Sequence, residues 1–322
     1  MKDDDDREET HVSDPGRALN NRTVIAGGVR PLRADARPLG ARDAFLAAHP
    51  GMRVLATRPD VAVVVGAVDP DGRVIGLAPL AAGQALIAGR HTRCGLRLPS
   101  DDASLRHLAI HVRVEGGGPV TRLWDLGTST PFEMEDGAAA TAVIAEGPLF
   151  AAVAGYALLC VPAAASAPAV WTPGPAAAWD ALPPRGFIDL RTTAPARARH
   201  RPDPDLSVSR ISRIDAPSRL GAEPADGPPW AELTLTTPGA QERHPISAEQ
   251  ISRGVLIGRY PRCLAGTGAA ESLSRVHLLI VRIGDEVWAI DTASTNGTER
   301  HGHDIDAVVL AADDELELPG DA

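Results

Sequence analysis

The chain carries one pattern of residues twice, and this internal repeat constrains its fold more than any other feature. Each copy has an apolar run followed by Gly-Arg, then Ser-x-x-His, then Asp. These landmarks stand at Gly89-Arg90, Ser104, His107 and Asp125 in the first copy and at Gly258-Arg259, Ser274, His277 and Asp291 in the second. The offset between copies is 169 at the arginine, 170 at the serine and 166 at the aspartate. The repeat predicts two domains built to one plan.

The residues between these landmarks read as β-strands. Residues 107–114 and 277–283 are rich in β-formers, and each run is followed by a glycine turn and a second apolar run that ends at the aspartate. The longer turn around Gly116 to Gly118 coincides with the four-residue difference in offset. Short strands repeated in this way predict an all-β chain with two β-sandwiches.

Composition sets the boundaries between these units. Residues 162–229 hold 13 of the 28 prolines and many arginines, which is typical of an extended, disordered linker that keeps two bodies apart. Residues 41–48 are compatible with a short helix, whereas the rest of the segment before the first copy has no clear pattern. The predicted organisation is an acidic disordered tail (1–22), an unassigned extension (23–58), a first sandwich (59–163), a Pro/Ala/Arg-rich linker (164–228) and a second sandwich (229–322).

Charge and cysteine content narrow the class of protein. The formal net charge is -10, and the clustered basic face that binds a nucleic-acid backbone is not evident, so no nucleic-acid partner is expected. The three cysteines are far apart and form no C-x-x-C, which argues against a disulfide framework or a zinc ribbon. The N-terminus lacks the order of a signal peptide. A cytoplasmic protein with reduced thiols is predicted.

One segment is long and uncharged enough to raise the question of a membrane span. Residues 147–170 hold no charged residue, but three prolines interrupt them and only 149–161 are strongly apolar. A Gly-Tyr pair within that stretch favours two buried strands over a membrane helix.

The sequence offers no convincing catalytic or cofactor site. Ser274, His277 and Asp291 are the residue types of a hydrolase triad, but no G-x-S-x-G elbow is present. The segment 301–304 holds two histidines in what reads as a glycine hairpin, which is too few ligands for a metal site. No phosphate-cradling P-loop occurs. A non-enzymatic protein without metal or cofactor is expected.

The second copy resembles a forkhead-associated (FHA) domain, a phosphothreonine-binding β-sandwich. The resemblance rests on Gly258-Arg259, on Ser274-Arg275-Val276-His277, and on residues 291–298 with their Ser-Thr-Asn-Gly-Thr. It covers about residues 229–322, and a weaker copy covers about 59–163. A phosphothreonine brings nearly two negative charges and three acceptor oxygens, so its receptor needs a forked cation and short hydroxyl or amide donors.

The resemblance implies a role for each motif residue. Arg259 and Ser274 are expected to bind the phosphate, with Arg275 and Thr295 beside them, and Asn296 to hold the backbone of the bound peptide. Supporting roles in the loops are expected for Gly258, His277 and Gly297. His277, which in isolation resembles a metal ligand or a base, is expected to brace the loops.

The first copy departs from the pattern where the peptide would be read. It keeps Arg90 and Ser104, but alignment on the aspartate sets Ser129, Thr130 and Pro131 against Thr295, Asn296 and Gly297. Proline has no N–H and cannot take positive φ, and threonine cannot replace the paired contacts of an amide. A degenerate second site at Arg90, Ser104 and Ser129 is predicted.

The second copy departs from the FHA pattern after its last predicted strand. FHA domains usually add one more strand after the position of residues 313–318, as residues 156–161 are predicted to do in the first copy. Either the sandwich closes without that strand or an edge is left open.

The function implied by the resemblance is a phosphothreonine-dependent adaptor in Ser/Thr kinase signalling, with phosphoproteins and a kinase as partners. Thr10, in the acidic tail, is a candidate for a phosphorylated residue that occupies the second site in cis. The alternative is a phosphate-independent scaffold in a multiprotein assembly such as a secretion system, which the degenerate first copy favours.

Overall fold

The computed structural model describes residues 37–191, 208–215, 217, 229–237, 240–265 and 273–318. Strands dominate, as the sequence predicts. The N-terminal body contains, in chain order, α1 (Ala41–Ala56), β1 (Val63–Val68), β2 (Val74–Leu80), β3 (Ala85–Gly89), β4 (Leu96–Arg97), β5 (Leu108–Glu115), β6 (Gly118–Asp125), β7 (Phe132–Met134), β8 (Ala139–Ala140), β9 (Ala142–Glu146), β10 (Leu149–Val153), β11 (Tyr156–Pro162), α2 (Pro168–Trp171), α3 (Pro175–Asp180), β12 (Arg185–Asp189) and β13 (Ser209–Ile214).

The N-terminal body is a sandwich of two sheets. One sheet has six strands in the order β2-β1-β11-β10-β7-β8, and the other has seven in the order β12-β13-β9-β6-β5-β3-β4. Buried aliphatic side chains from both sheets, among them Val65, Ile110 and Leu123, fill the space between them. Strands β10 and β11 form an antiparallel pair from the apolar segment examined for a membrane span, so the prediction of two strands is confirmed. No helix among the described residues is long and apolar enough to cross a bilayer.

Segments at both margins of this body pack onto it. Residues 37–58 of the unassigned extension and the start of the predicted linker both fold onto the six-stranded sheet, where α1, α2 and α3 share one buried cluster with its outer face. The helix predicted for residues 41–48 continues to Ala56, because Met52 and Ala56 extend its buried stripe. Two of the prolines that suggested a linker lie at the first turns of α2 and α3, where the missing N–H of proline costs no hydrogen bond.

Two strands of the N-terminal body, β12 and β13, also lie within the predicted linker. β13 pairs with β9 at the edge of the seven-stranded sheet, and β12 pairs in parallel with β13. Ile211 is fully buried in the sandwich core, so this edge belongs to the N-terminal body. Residues 192–207, 216 and 218–228 of the predicted linker, the acidic tail and residues 23–36 of the extension lie outside the described residues.

The C-terminal body repeats the same plan. It contains β14 (Ala231–Thr237), β15 (Ala240–Ile246), α4 (Ala248–Arg253), β16 (Val255–Gly258), β17 (Leu264–Ala265), β18 (Leu278–Ile283), β19 (Glu286–Asp291), β20 (Glu299–Arg300), β21 (His303–Asp304) and β22 (Ala307–Leu310). Its main sheet has the order β17-β16-β18-β19-β22, which matches β4-β3-β5-β6-β9 strand for strand, including one parallel pair at the edge. The predicted repeat is therefore confirmed by topology.

The second sheets of the two bodies differ. In the N-terminal body β10 and β11 join β1–β2 to β7–β8, whereas β14–β15 and β20–β21 are separate two-stranded sheets. Within the part of the chain that the structure describes, the C-terminal body therefore has an open edge at β14. Leu316 and Leu318 pack against the core, and Glu317 forms a bridge with Glu299.

The two bodies pack directly against each other, and the prediction that a linker holds them apart is wrong. Strands β5 and β18 are apolar on both faces. Leu108 and Ile110 face the core of their own sandwich, whereas Ala109 lies with Leu279 and Val281 in a buried cluster shared by both bodies. The His111 and Trp288 rings meet there, with centroids 4.5 Å apart. We call this shared cluster the interdomain core.

Contacts at both ends of these strands show how the bodies are related. Arg113 donates to the carbonyl of Ile283 at 2.9 Å. Ile283 occupies the position in the second copy that Arg113 occupies in the first. At the other end Arg93 donates to the Thr295 carbonyl, and its counterpart Arg262 donates to the Leu126 carbonyl at 3.1 Å. Arg93 and Arg262 thus each contact the equivalent loop of the other body, which indicates an approximate two-fold axis along the strands and sets the two loop clusters side by side.

His111 makes this interface sensitive to acid. Its ring is fully buried between Trp124 and Trp288, and neither ring nitrogen has a partner among the described residues. The charges of Arg113 and Arg122 act on it, and these arginines form ion pairs with Glu286 and Glu115. Burial, with the two arginines, lowers the pKa of His111 to about 3.

We expect the free energy of unfolding to decrease as the pH falls below about 6.5, because the His111 imidazole is protonated in the unfolded chain but stays neutral in the folded one. At pH 5 this single group accounts for a loss of about 2 kcal/mol. Urea unfolding at pH 7.5 and pH 5 measures it, and His111→Leu should show a smaller loss between these values. Equal pH dependence in both proteins would contradict the prediction.

Candidate functional site

Three loops at one end of the C-terminal sandwich bring the motif residues together. The backbone N–H of Arg259 donates to the Ser274 carbonyl at 3.2 Å, which ties the loop after β16 to the loop before β18. The Ser274 hydroxyl oxygen then accepts from the Thr295 N–H at 2.9 Å and lies 3.3 Å from the Thr295 hydroxyl. The sequence prediction placed these three residues in one site, and the structure brings them together.

Gly258 is required by the close approach of two backbones. A Cβ at this position would lie 2.4 Å from the Arg275 carbonyl oxygen and 2.9 Å from that of Ser274. Gly89 has the same surroundings in the first copy, with the Leu105 carbonyl oxygen 2.5 Å from a Cβ. The glycine before each arginine therefore lets the arginine loop lie against the serine loop.

His277 joins the serine loop to the loop after β19. Its Nδ1 accepts from the Ser274 N–H at 3.2 Å, so its Nε2 carries the proton and donates to the Gly297 carbonyl at 2.9 Å. The ring is fully buried, and burial lowers the pKa of His277. A neutral imidazole with both nitrogens occupied is arranged to hold two loops, as the resemblance implies.

Asp291 organises the loop that carries Thr295 and Asn296. Its carboxylate accepts from the Ser294 N–H at 2.8 Å, from the Ser294 hydroxyl at 2.6 Å and from the Thr298 hydroxyl at 2.7 Å. The loop turns through positive φ at Ala293 and again at Gly297. Sequence analysis used Asp291 as a landmark and Thr298 as the last residue of the motif, but assigned neither of them a role in holding this loop.

The site is a buried hydroxyl under a rim of exposed side chains. Ser274 is 6% exposed, whereas Arg259, Arg275, Thr295 and Asn296 are exposed. Arg275 donates to the Tyr260 hydroxyl at 3.0 Å, and its guanidinium lies 5.7 Å from the centre of that ring. Among the described residues no carboxylate forms an ion pair with Arg259 or Arg275. The rim is therefore a cationic surface available to an anion.

Two arginines of the N-terminal body also reach this site, and sequence reasoning missed both. Arg106 donates to the Ala293 carbonyl at 2.7 Å and to the Ser274 hydroxyl at 3.3 Å. Arg93 donates to the Thr295 carbonyl. Neither residue belongs to a motif of the site, so only the packing of the two bodies reveals them.

The equivalent loops of the first copy differ from those of the second in charge pairing and in length. Arg90 forms an ion pair with Asp101 at 3.0 Å, so its charge is already matched. His107 Nε2 bonds the Thr130 carbonyl, the place that Gly297 takes in the second copy. Thr128 and Ser294 are equivalent, because each bonds to the aspartate of its own copy. Between these two aligned points the first copy has one residue, Ser129, where the second copy has two, Thr295 and Asn296.

Within the described ranges no group of three or more His, Cys, Asp or Glu side chains is placed to hold a metal ion. The two histidines at 301 and 303 flank a turn at Gly302 between β20 and β21.

Comparison with known families identifies the second copy. Residues 255–319, about one fifth of the chain, match the family model described as the FHA domain. This part of the chain is an FHA domain. FHA domains are phosphothreonine-binding modules in signalling. The residues matched include the arginine, serine and asparagine loops described above.

Solved FHA domains resemble one domain-sized part of the chain. An FHA domain from a study of phosphothreonine-dependent FHA interactions is 24% identical, covers 31% of this chain and 95% of its own, and has a TM-score of 0.25. The FhaA FHA domain in complex with the intracellular domain of Rv3910 is 22% identical, with 31% and 99% covered and a TM-score of 0.26. The FHA domain of the CT664 protein from Chlamydia trachomatis is 15% identical, with 31% and 96% covered and a TM-score of 0.28. No curated protein matches the chain.

Proposed function

We propose that the chain is a phosphothreonine-dependent adaptor in Ser/Thr kinase signalling. Its C-terminal FHA domain binds a phosphorylated segment of a partner protein, and the chain itself catalyses no reaction. The buried Ser274 hydroxyl beneath the exposed guanidinium of Arg259 is the observation that carries this proposal. We place this activity in the cytoplasm, where the three buried thiols stay reduced.

The geometry supports a phosphate ligand in particular. A phosphate dianion needs several N–H and O–H donors at short range, and Arg259, Ser274 and Thr295 supply a forked cation and two hydroxyls within three adjoining loops. Asn296 stands on the exposed rim next to Thr295, where a peptide backbone would lie. Gly297 and His277 fix the loop that presents both residues.

We expect Arg259→Ala to weaken binding of a phosphothreonine peptide about 100-fold, because it leaves a desolvated phosphate without its forked cation. Fluorescence anisotropy with the full chain and an oriented phosphothreonine peptide library identifies the peptide and measures the change. Arg282→Ala is the matched control, since Arg282 lies at the far end of β18 and donates to the Gly284 carbonyl. It should bind as the unaltered chain does.

A phosphate-independent scaffold is the second candidate. The occupied Arg90 and the shortened loop of the first copy favour it, because that domain is folded yet lacks the features of a phosphate reader. Equal binding of phosphorylated and unphosphorylated peptides, or insensitivity to Arg259→Ala, would support the scaffold and contradict the adaptor.

Thr10, proposed as an intramolecular ligand, lies outside the described residues. If the tail occupies the FHA site after phosphorylation, treatment with a cognate kinase should reduce peptide binding by the full chain. Mass spectrometry that finds no phosphate in the tail after this treatment would contradict the idea.

A further inference from the structure

The interface between the two bodies contains one asymmetry at the phosphate site. Arg93 and Arg262 are counterparts in the repeat and make reciprocal contacts, but Arg106 has Val276 as its counterpart. A buried valine needs no partner, whereas a buried guanidinium does. Among the described residues, the site with the intact motif therefore receives a second arginine from the neighbouring body, and the first copy has no equivalent of it.

Arg106 is held firmly against the floor of that site. Its residue is 7% exposed, and its Nε and Nη2 both donate to the Ala293 carbonyl, at 3.0 and 2.7 Å. Nη2 also lies 3.3 Å from the Ser274 hydroxyl oxygen. This fixed geometry aims one charged N–H at the hydroxyl that forms the floor of the phosphate site.

The bonds to Ser274 determine what its hydroxyl can do. A hydroxyl offers one donor and two acceptor positions. The Thr295 N–H and the Arg106 Nη2–H occupy the two acceptor positions, so the remaining O–H must donate, and here it donates to the Thr295 hydroxyl oxygen at a long 3.3 Å. A hydroxyl restricted to donation is suited to a phosphate oxygen, which can only accept.

The charge of Arg106 is not matched by a carboxylate ion pair among the described residues. Arg93, Arg259 and Arg275 stand around the same loops, and the Asp291 carboxylate is engaged with Ser294 and Thr298. Burial and the like charges of Arg93 and Arg275 lower the pKa of Arg106, whereas Asp291 acts in the opposite direction. A cluster of partly desolvated cations of this kind is stabilised by an anion.

We propose that the N-terminal sandwich completes the phosphothreonine site of the FHA domain, with Arg106 orienting the Ser274 hydroxyl and adding positive charge beneath the phosphate, and Arg93 extending the cationic rim beside Thr295. The inference rests on the proposed function and assigns the first copy a role in it. The tandem is then one reader, and the isolated FHA domain has a weaker site.

The test uses the full chain and the phosphothreonine peptide selected from the library. Arg106→Gln removes the charge while keeping an amide donor, and we expect it to weaken binding about tenfold. Arg106→Lys keeps the charge without the fork and should recover part of the loss. Arg113→Gln is the matched control, because Arg113 contacts Ile283 and Glu286 in the same interface about 20 Å along β5. It should leave binding unchanged.

A second measurement separates an effect on the phosphate from loosened packing. The second ionisation of a phosphothreonine has a pKa of about 6, and nearby cations lower it. A ³¹P chemical-shift titration of the bound peptide should therefore give a higher pKa in Arg106→Gln than in the unaltered chain, and the same pKa in Arg113→Gln.

The outcomes are distinct. Phosphate-dependent binding that is lost in Arg259→Ala but unchanged in Arg106→Gln would overturn this inference and leave the proposed function intact. Tighter binding by Arg106→Gln would show that the arginine competes with phosphate for Ser274, and would also overturn it. Equal losses of peptide affinity in Arg106→Gln and Arg113→Gln, with no change in the phosphate pKa, would overturn the inference, because they would show that Arg106 acts only by holding the interface together. Absence of phosphate-dependent binding by the unaltered chain would overturn both proposals.

Discussion

Replacing Gly258 with alanine is expected to destabilise the FHA domain by about 3 to 4 kcal/mol and to abolish phosphopeptide binding. The added Cβ would lie 2.4 Å from the Arg275 carbonyl oxygen, well inside van der Waals contact. Both sides of this contact are backbone, so no side-chain rotation relieves it. Relief requires the arginine loop to separate from the serine loop, which breaks the bond from the Arg259 N–H to the Ser274 carbonyl.

Urea unfolding followed by circular dichroism measures the loss of stability, and anisotropy measures peptide binding. Gly118→Ala is the control, because a Cβ there has no atom within 4 Å. Its free energy of unfolding should lie within about 0.5 kcal/mol of the unaltered chain. A Gly258→Ala protein with unchanged stability and affinity would show that the two loops do not approach as closely as described.

Trp288→Ala is expected to destabilise the chain by about 3 to 5 kcal/mol and to uncouple its two bodies. Trp288 is 8% exposed in the interdomain core, its ring centroid lies 4.5 Å from that of His111, and it lies close to the turn at Gly83. Removing the indole leaves a cavity between two rigid sheets that cannot both move into it.

Calorimetry tests this coupling, since the unaltered chain should unfold in one transition and the variant in two. Trp230→Ala is the matched control: Trp230 is 44% exposed, and Arg282 covers one face at 5.3 Å. Loss of that exposed contact should cost about 1 kcal/mol or less. A Trp288→Ala protein that unfolds in a single transition at the original temperature would contradict the importance of the interdomain core.

The uncoupled variant also connects stability to function. If the N-terminal sandwich completes the phosphate site, Trp288→Ala should weaken peptide binding as well, although Trp288 touches no residue of the site. Binding unaffected by uncoupling would indicate that the FHA domain reads phosphothreonine by itself.

Local spacing was enough to predict the strands and the motif loops. Gly258, Ser274, His277 and Asp291 act through bonds to near neighbours in adjoining loops, so their order and separation along the chain carry the geometry. The same holds for Gly89, Ser104, His107 and Asp125 in the first copy. The one-residue shortening at Ser129 escaped prediction, because only the bond from His107 to Thr130 shows which carbonyl takes the place of Gly297.

Residues 164–191 were predicted to be linker because a proline-rich composition is typical of disordered chain. The same composition also occurs in short helices that begin with proline, such as α2 and α3. These residues are buried against α1 and the outer face of the six-stranded sheet. No local pattern in the segment predicts that contact.

The sequence by itself determined the repeat, the all-β fold and the motif residues of the second copy, because each follows from residue types at fixed spacing. Only the tertiary structure decided that the bodies share a core and that Arg106 lies against Ser274. Strands that are apolar on both faces require a second covering layer, but periodicity does not say which surface provides it. That choice joins residues 168 positions apart, and it depends on the complementary surfaces of two folded sandwiches.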